Sequence, residues 1–273
     1  MQRMFFWGCL FSVVCLTASA GEPEAFRVAD YRSGIAWPEP PVVTPGAEPG
    51  AAPSDAIVLF DGTNLDAWNG GPWNVADGVM TVEPGTGNLE TKEKFGSVQL
   101  HLEFATPPVE LDDAGEPKFS SQGRGNSGVF FMNHYEVQVL DNYENKTYPD
   151  GQCGGIYKQI APLVNVCKKP GEWQTYDIIF TKPTLKIEND QVVEVIRPAY
   201  ITVILNGVLV VNHWEIKGDT FWHVPPTYQV HGDREPIRLQ DHGNRMQFRN
   251  IWLREIPDAN ILPPQTTMPY YAQ

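Results

Sequence analysis

The chain has 273 residues, a net charge of −13 and a pI near 4.8. That balance argues against a nucleic-acid partner, because phosphate binding needs clustered Lys and Arg, and it reads as a solvated acidic surface. A hydrophobic content of 42% supplies one large core, and 24 Gly with 24 Pro fit a turn-rich β protein better than a helical one.

Residues Met1 to Ala20 read as a secretory signal. Arg3 gives the positive start, Phe5 to Leu16 the apolar stretch, and Ala18-Ser19-Ala20 a small-residue cleavage site. The apolar run is too short for a membrane span, and no other stretch qualifies. Val14 stands before Cys15 where a lipoprotein needs a small residue, so the expectation is a secreted or periplasmic protein cleaved near Ala20. Cleavage leaves Cys153 and Cys167, which either pair in an oxidising compartment or stay as two buried thiols; their spacing is not a zinc pattern.

Residues 21–55 lack periodicity and are rich in Pro, Gly and Ala, as in a linker or surface strap. A β-domain is expected over 56–256, starting at Ile57-Val58-Leu59-Phe60, with an irregular tail over 257–273. Val79–Val82 follows an Asp-Gly turn. Val98, Leu100, Leu102 and Phe104 alternate with polar residues, as in a strand buried on one face. Val129–Val139 is a long central run, followed by Tyr176–Phe180 and Tyr200–Leu205. Asn206-Gly207 then signals a hairpin into Val208–Val211. Pro236–Gln240 and Met246–Glu255 complete the series. The stretches 107–122 and 182–198 read as insertions, the second with a small hairpin turning at Asn189-Asp190. No segment patterns as a long amphipathic helix. The fold class expected is all-β, a two-sheet antiparallel β-sandwich of jelly-roll type.

Chemistry concentrates on the central run. With period two, Tyr135, Val137 and Val139 face one way, and His134, Glu136 and Gln138 the other. A carboxylate, an amide and an imidazole on one face suit a polyol. A bulge near Leu140 would return Asp141 to that face, making a carboxylate pair with Glu136. The spacing Glu-x-Gln-x-x-Asp resembles the catalytic strand of laminarinase-type glycosidases, with Gln138 in place of the middle Asp. Gly125-Asn126-Ser127-Gly128 allows close backbone approach to a ligand, with Arg124 and Asn126 as donors to a sugar. A second cluster, Leu239-Gln240-Asp241-His242-Gly243 with Phe248-Arg249-Asn250, offers a loop histidine for acid–base work and a fixed cation for a developing oxyanion. Each has a plain structural alternative: Asp141 as a turn cap, His242 as a turn residue, Arg249 as a cross-strand ion pair. No single tryptophan stands out as a sugar platform. No metal-ligand array is present, although an acidic loop with Glu110, Asp112 and Asp113 has the oxygen ligands a structural calcium would use.

These motifs, in this order, together with Phe60-Asp61-Gly62-Thr63-Asn64-Leu65, Gly155-Ile156-Tyr157, Gly171-Glu172-Trp173 and Leu205-Asn206-Gly207, resemble the 3-keto-disaccharide hydrolase domain family over roughly residues 56 to 256. The resemblance implies a concanavalin A-like sandwich and cleavage of glycosides already oxidised at sugar carbon 3. A 3-ketone acidifies the C2 proton, so a base removes it, the C1 leaving group departs, and water adds back. The implied roles are Glu136 or His242 as base, Arg249 and Gln138 as oxyanion donors, and Asp141 as orienter or acid. Gln240, Arg124, Asn126 and His134 would bind substrate. No cofactor is implied. The stretch Arg234-Glu235-Pro236-Ile237-Arg238 departs from the family pattern, with Arg238 placed to narrow or recharge one edge of the cleft. Two other readings remain: a non-catalytic carbohydrate-binding module, and a retaining glycosidase using Glu136 with Asp141.

Overall fold

The computed structural model describes residues 40–257, and the fold is that of the compact unit to which 43–257 belong. The signal predicted for Met1–Ala20 and the tail from 258 onward lie outside the described residues. Two antiparallel sheets face each other. The first has eight strands: β1 (Ile57–Phe60), β3 (Asn74–Ala76), β4 (Val79–Thr81), β6 (Val98–Ala105), β9 (Gln174–Thr181), β12 (Tyr200–Leu205), β13 (Val208–Glu215) and β15 (Gln247–Glu255). The second has five: β2 (Trp68–Gly70), β5 (Leu89–Thr91), β7 (Ser127–Phe131), β8 (Tyr135–Val139) and β14 (Arg238–Leu239), in the order β2-β5-β14-β7-β8. A separate hairpin, β10 (Thr184–Glu188) and β11 (Gln191–Arg197), projects from the first sheet's connections.

The alternation read from sequence sorts the two faces of each strand. Leu100, Leu102 and Phe104 of β6, Tyr176, Ile178 and Phe180 of β9, and Tyr135, Val137 and Val139 of β8 are all fully buried between the sheets. Phe131 stacks on Phe180 at 4.8 Å and Phe104 packs on Tyr176 at 4.9 Å, so aromatic pairs bridge the layers or fill them. Both expected hairpins turn where the sequence placed them. Asn206-Gly207 and Asn189-Asp190 have positive φ at both central residues, the geometry that matches the twist of paired strands.

The central run is not one strand. Met132 and Asn133 take φ of 55° and 63°, His134 N–H donates to the Phe131 carbonyl, and the chain doubles back, pairing β7 with β8. The apolar sequence Phe130-Phe131-Met132 hides this turn, because Met132 is buried although it is a turn residue. Residues 43–55 lie against the outer side of the eight-stranded sheet. The Gly50 carbonyl accepts from Trp252 Nε1 and Asn250 Nδ2, both at 2.9 Å, and Asp55 pairs with Arg254. In the acidic insertion, Asp112 Oδ1 accepts from the backbone N–H groups of Ala114 and Glu116, a turn-capping use of one of the carboxylates considered for calcium. Cys153 and Cys167 are free thiols, and Cys153 Sγ lies 3.1 Å from the Tyr176 hydroxyl.

That hydroxyl also donates to the Gln138 carbonyl at 2.6 Å, tying the eight-stranded sheet to β8 through the core. Replacing Tyr176 by Phe removes a fully buried bond, and the expected loss is about 1–2 kcal/mol in denaturant unfolding, with no change in the slope of the transition.

Candidate active site

Because Tyr135, Val137 and Val139 are committed to the core, Glu136 and Gln138 point from the outer face of the five-stranded sheet. The register aligns a row across that face: Asn69, Glu90, Arg238, Phe130 and Glu136 sit opposite one another on successive strands. Beside it, Gly128 pairs with Gln138, and Gln240 N–H donates to the Gly128 carbonyl. Over Glu136 and Gln138 the face forms a cavity of about 550 Å³. Gln122, Asn126, Tyr148, Tyr157, Trp222 and His242 supply much of the remaining wall.

Glycine at 128 makes room for the carboxylate. A Cβ there would lie 2.4 Å from Glu136 Oε1 and 2.7 Å from Phe130 Cε2. Here the requirement is space, not an unusual backbone angle. β8 is an edge strand, and its outer edge is fully covered. Gln138 exchanges backbone bonds with Gly154 and Gly155, Tyr157 N–H donates to the Glu136 carbonyl, and Glu136 N–H donates to Thr220 Oγ1. This cover satisfies the exposed edge and brings two loops, carrying Tyr157 and Thr220, to the cavity.

Glu136 is 6% exposed, and no described residue donates a hydrogen bond to its carboxylate. Burial pushes its pKa up to about 8, with Arg238 pulling weakly the other way. Arg238 itself is held below its ordinary value by burial, and its guanidinium lies 3.9 Å over the Phe130 ring. The Gln138 amide donates to Gln122 Oε1 at 3.0 Å and to the Gly151 carbonyl at 3.3 Å. The side-chain carbonyl oxygens of Gln138 and Gln240 are sealed from solvent without a partner. Trp222, 71% exposed at the rim, adds an indole face.

The structure therefore gathers Glu136, Gln138, Asn126, Gln240 and His242 around one cavity. It sends four other candidates elsewhere. Asp141 does not return to the Glu136 face: it accepts from Arg124 Nε at 2.8 Å and Nη2 at 2.5 Å and caps Tyr143 N–H. Burial raises its pKa and Arg124 opposes the shift. Asp141 and Arg124 both line a different cavity of about 570 Å³. Arg249 is on β15 of the other sheet, bonded to Glu103 at 2.6 Å and lying 4.1 Å over Trp173, which is the cross-strand ion pair of its structural alternative. His134 follows the turn before β8, where its Nδ1 meets Asp219 Oδ2 at 2.5 Å and ties down the loop that carries Thr220. Sequence reasoning did not single out Gln122, Phe130, Tyr148, Thr220, Phe221 or Trp222, which sit outside any periodic pattern or, for Phe130, inside an apolar run. Among the described residues no three His, Cys, Asp or Glu side chains converge as metal ligands, and no helix is long and apolar enough to cross a membrane.

A two-sheet sandwich with a cavity of amide and aromatic side chains on one sheet is an architecture that carbohydrate-active proteins use. The chain belongs to the family of the 3-keto-alpha-glucoside-1,2-lyase-like domain, whose model matches residues 55–254. A crystal structure of a candidate glycosyl hydrolase from Parabacteroides distasonis is 48% identical, superposes with a TM-score of 0.73, and aligns over 80% of this chain and 93% of that one. A second candidate glycosyl hydrolase from the same organism is 25% identical, with a TM-score of 0.53 over 74% of this chain and 99% of that one. No curated protein matches the chain.

The raised pKa of Glu136 has a stability consequence. The folded state holds this proton up to about pH 8, whereas the unfolded state releases it near 4.5, so folding loses stability as pH rises through that window. Glu136→Gln removes the titration. The expected result is an unfolding midpoint close to wild type at pH 4.5 and above it at pH 8.5, measured by thermal melts across that range.

Proposed function

We propose that this domain cleaves glycosides that carry a ketone at sugar carbon 3. The observation that carries this reading is Glu136: one buried carboxyl, without an ion pair or hydrogen bond, in the wall of a cavity lined by amide and aromatic side chains. A carboxylate of such raised basicity is suited to removing a proton from carbon, and the C2 proton beside a ketone is the acidic one in a sugar. Loss of that proton and of the C1 substituent gives an unsaturated keto sugar, to which water adds. The polar side chains that line the cavity, Gln122 and His242 among them, bond the sugar hydroxyls, and Trp222 stacks on the ring.

The role assigned to Arg249 falls to groups at the cavity. His242 and Gln240 line the cavity, and their side-chain N–H groups would donate to an oxygen on C3 as it gains charge. Among the described residues, Glu136 is the one carboxylate lining this cavity. A double-displacement glycosidase needs a second, about 5–5.5 Å away, and Asp141 is engaged by Arg124 in the other cavity. A lectin-like module needs the rim aromatic and the amide oxygens but gives no reason for an isolated basic carboxylate. The signal-like Met1–Ala20 makes this an exported activity meeting glycosides outside the cytoplasm.

The test is aglycone release from a 3-keto-glucoside and from its unoxidised parent. Release from the keto sugar alone is expected, with kcat/KM rising as pH approaches about 8 and levelling above it. Glu136→Gln should lower the rate by at least about 100-fold. Turnover of the parent sugar would assign an ordinary glycosidase, and binding of both without turnover a binding module.

A further inference from the structure

The elimination needs an acid as well as a base, because an alkoxide or sugar oxygen leaves C1 poorly without a proton. Asp141 faces another cavity, so that acid must be sought among the groups beside Glu136. Two tyrosines line the same cavity, and their hydroxyls meet at 2.7 Å. Tyr157 comes from the loop that pairs with the edge of β8, its own N–H on the Glu136 carbonyl. Tyr148 packs flat against Gly151, where a Cβ would lie 2.0 Å from its ring, and the Gly151 carbonyl accepts from Gln138. Both rings are thus fixed to the strand that carries the base.

A hydroxyl pair has a definite proton count. One phenol donates to the other, and the acceptor's own proton is left over for a third oxygen. Accepting a hydrogen bond makes that remaining proton more acidic. Lys158 Nζ stands 4.0 Å from the centroid of the Tyr148 ring and 3.3 Å from Asp150 Oδ1, so a cation is fixed beside the pair where negative charge would appear once a proton leaves. Burial, Tyr157, Asp150 and Glu136 all favour the protonated phenol of Tyr148 before reaction. Tyr148 therefore holds its proton at neutral pH.

We propose that the Tyr148–Tyr157 hydroxyl pair is the general acid that protonates the C1 leaving oxygen. The inference rests on the keto-glycoside reading above. In the step, Glu136 takes the proton from C2, the C2–H electrons form the C1–C2 double bond by way of the enolate, and the C1–O bond breaks with its electrons on the leaving oxygen. That oxygen takes a proton from the tyrosine pair. The phenolate is then reprotonated, and Glu136 releases its proton, both through water at the cavity mouth. No oxidant or reductant is needed.

The experiment compares methyl and 4-nitrophenyl 3-keto-glucosides, with wild type beside Tyr148→Phe and Tyr157→Phe. Nitrophenolate leaves without a proton and methoxide does not. The expected loss in the variants is about 10²- to 10³-fold on the methyl glycoside and less than about tenfold on the nitrophenyl one. Exchange of the C2 proton with D2O, followed by NMR on the methyl substrate, should survive in both variants, since it needs Glu136 alone. Equal losses on the two substrates with an unchanged unfolding midpoint, or no loss on either, overturn the assignment. An arm without variants guards against misfolding. Wild-type rates over a series of aryl leaving groups should depend weakly on their basicity, and a steep dependence overturns the proposal. If wild type cleaves neither keto sugar, the keto-glycoside reading fails and the acid falls with it. If wild type cleaves both and the variants do not discriminate, only the tyrosine assignment fails.

Discussion

The commitment of one face of β8 to the core governs the site. Tyr135, Val137 and Val139 are fully buried against the opposite sheet, and the Tyr176 hydroxyl holds the Gln138 carbonyl between them. A slip of one residue in the pairing with β7 would carry Glu136 and Gln138 inward and expose three large apolar side chains. Burying each such group contributes about 1.5–3 kcal/mol, so the register is strongly specified. The carboxyl at the cavity is therefore positioned by hydrophobic packing on the far side of its own strand. Its surroundings then decide its chemistry. Phe130 and the space above Gly128 surround it without offering a hydrogen bond, and the cation that opposes its raised pKa, Arg238, lies two strands away over a phenyl ring.

Edge protection and site construction are the same structure here. An edge strand must hide its backbone groups from other chains. In β8 this is done by the loop around Gly154–Tyr157 and by Thr220, and both bring cavity walls with them. The His134–Asp219 contact secures the second of these loops at its base, away from the cavity. His134 thus bears on the site through the loop it anchors.

Much of the sandwich was legible because period-two burial and positive-φ turns are local. The alternation in β6 and β8 and the Asn-Gly and Asn-Asp turns each identified themselves. The turn at Met132-Asn133 did not, since its first residue is apolar and buried and no glycine marks it. Glu136, Gln138, Gln240, Asn126 and His242 were readable as a set because they flank or alternate with core positions. Asp141 and Arg249 lie away from that cavity for different reasons. A bulge was needed to bring Asp141 round, and Arg124, only 17 residues earlier, claimed it instead. Arg249 is near His242 in sequence, but the chain crosses from one sheet to the other between β14 and β15. Tyr157 stood inside the Gly155-Ile156-Tyr157 motif with no role attached, and Tyr148 and Trp222 lie on loops whose positions depend on contacts distant in sequence. Such residues become visible only when the edge they cover is known.

The unmatched oxygens of Gln138 and Gln240 have a cost that falls on the empty protein. Each is an acceptor withdrawn from water and given nothing in exchange, a deficit of the order of 1–3 kcal/mol where no partner arrives. Selection for a better-folded domain would fill these places with apolar side chains or inward-turned donors. Filling them in that way should therefore raise the stability of the domain, so these two positions mark where its fold is least optimised.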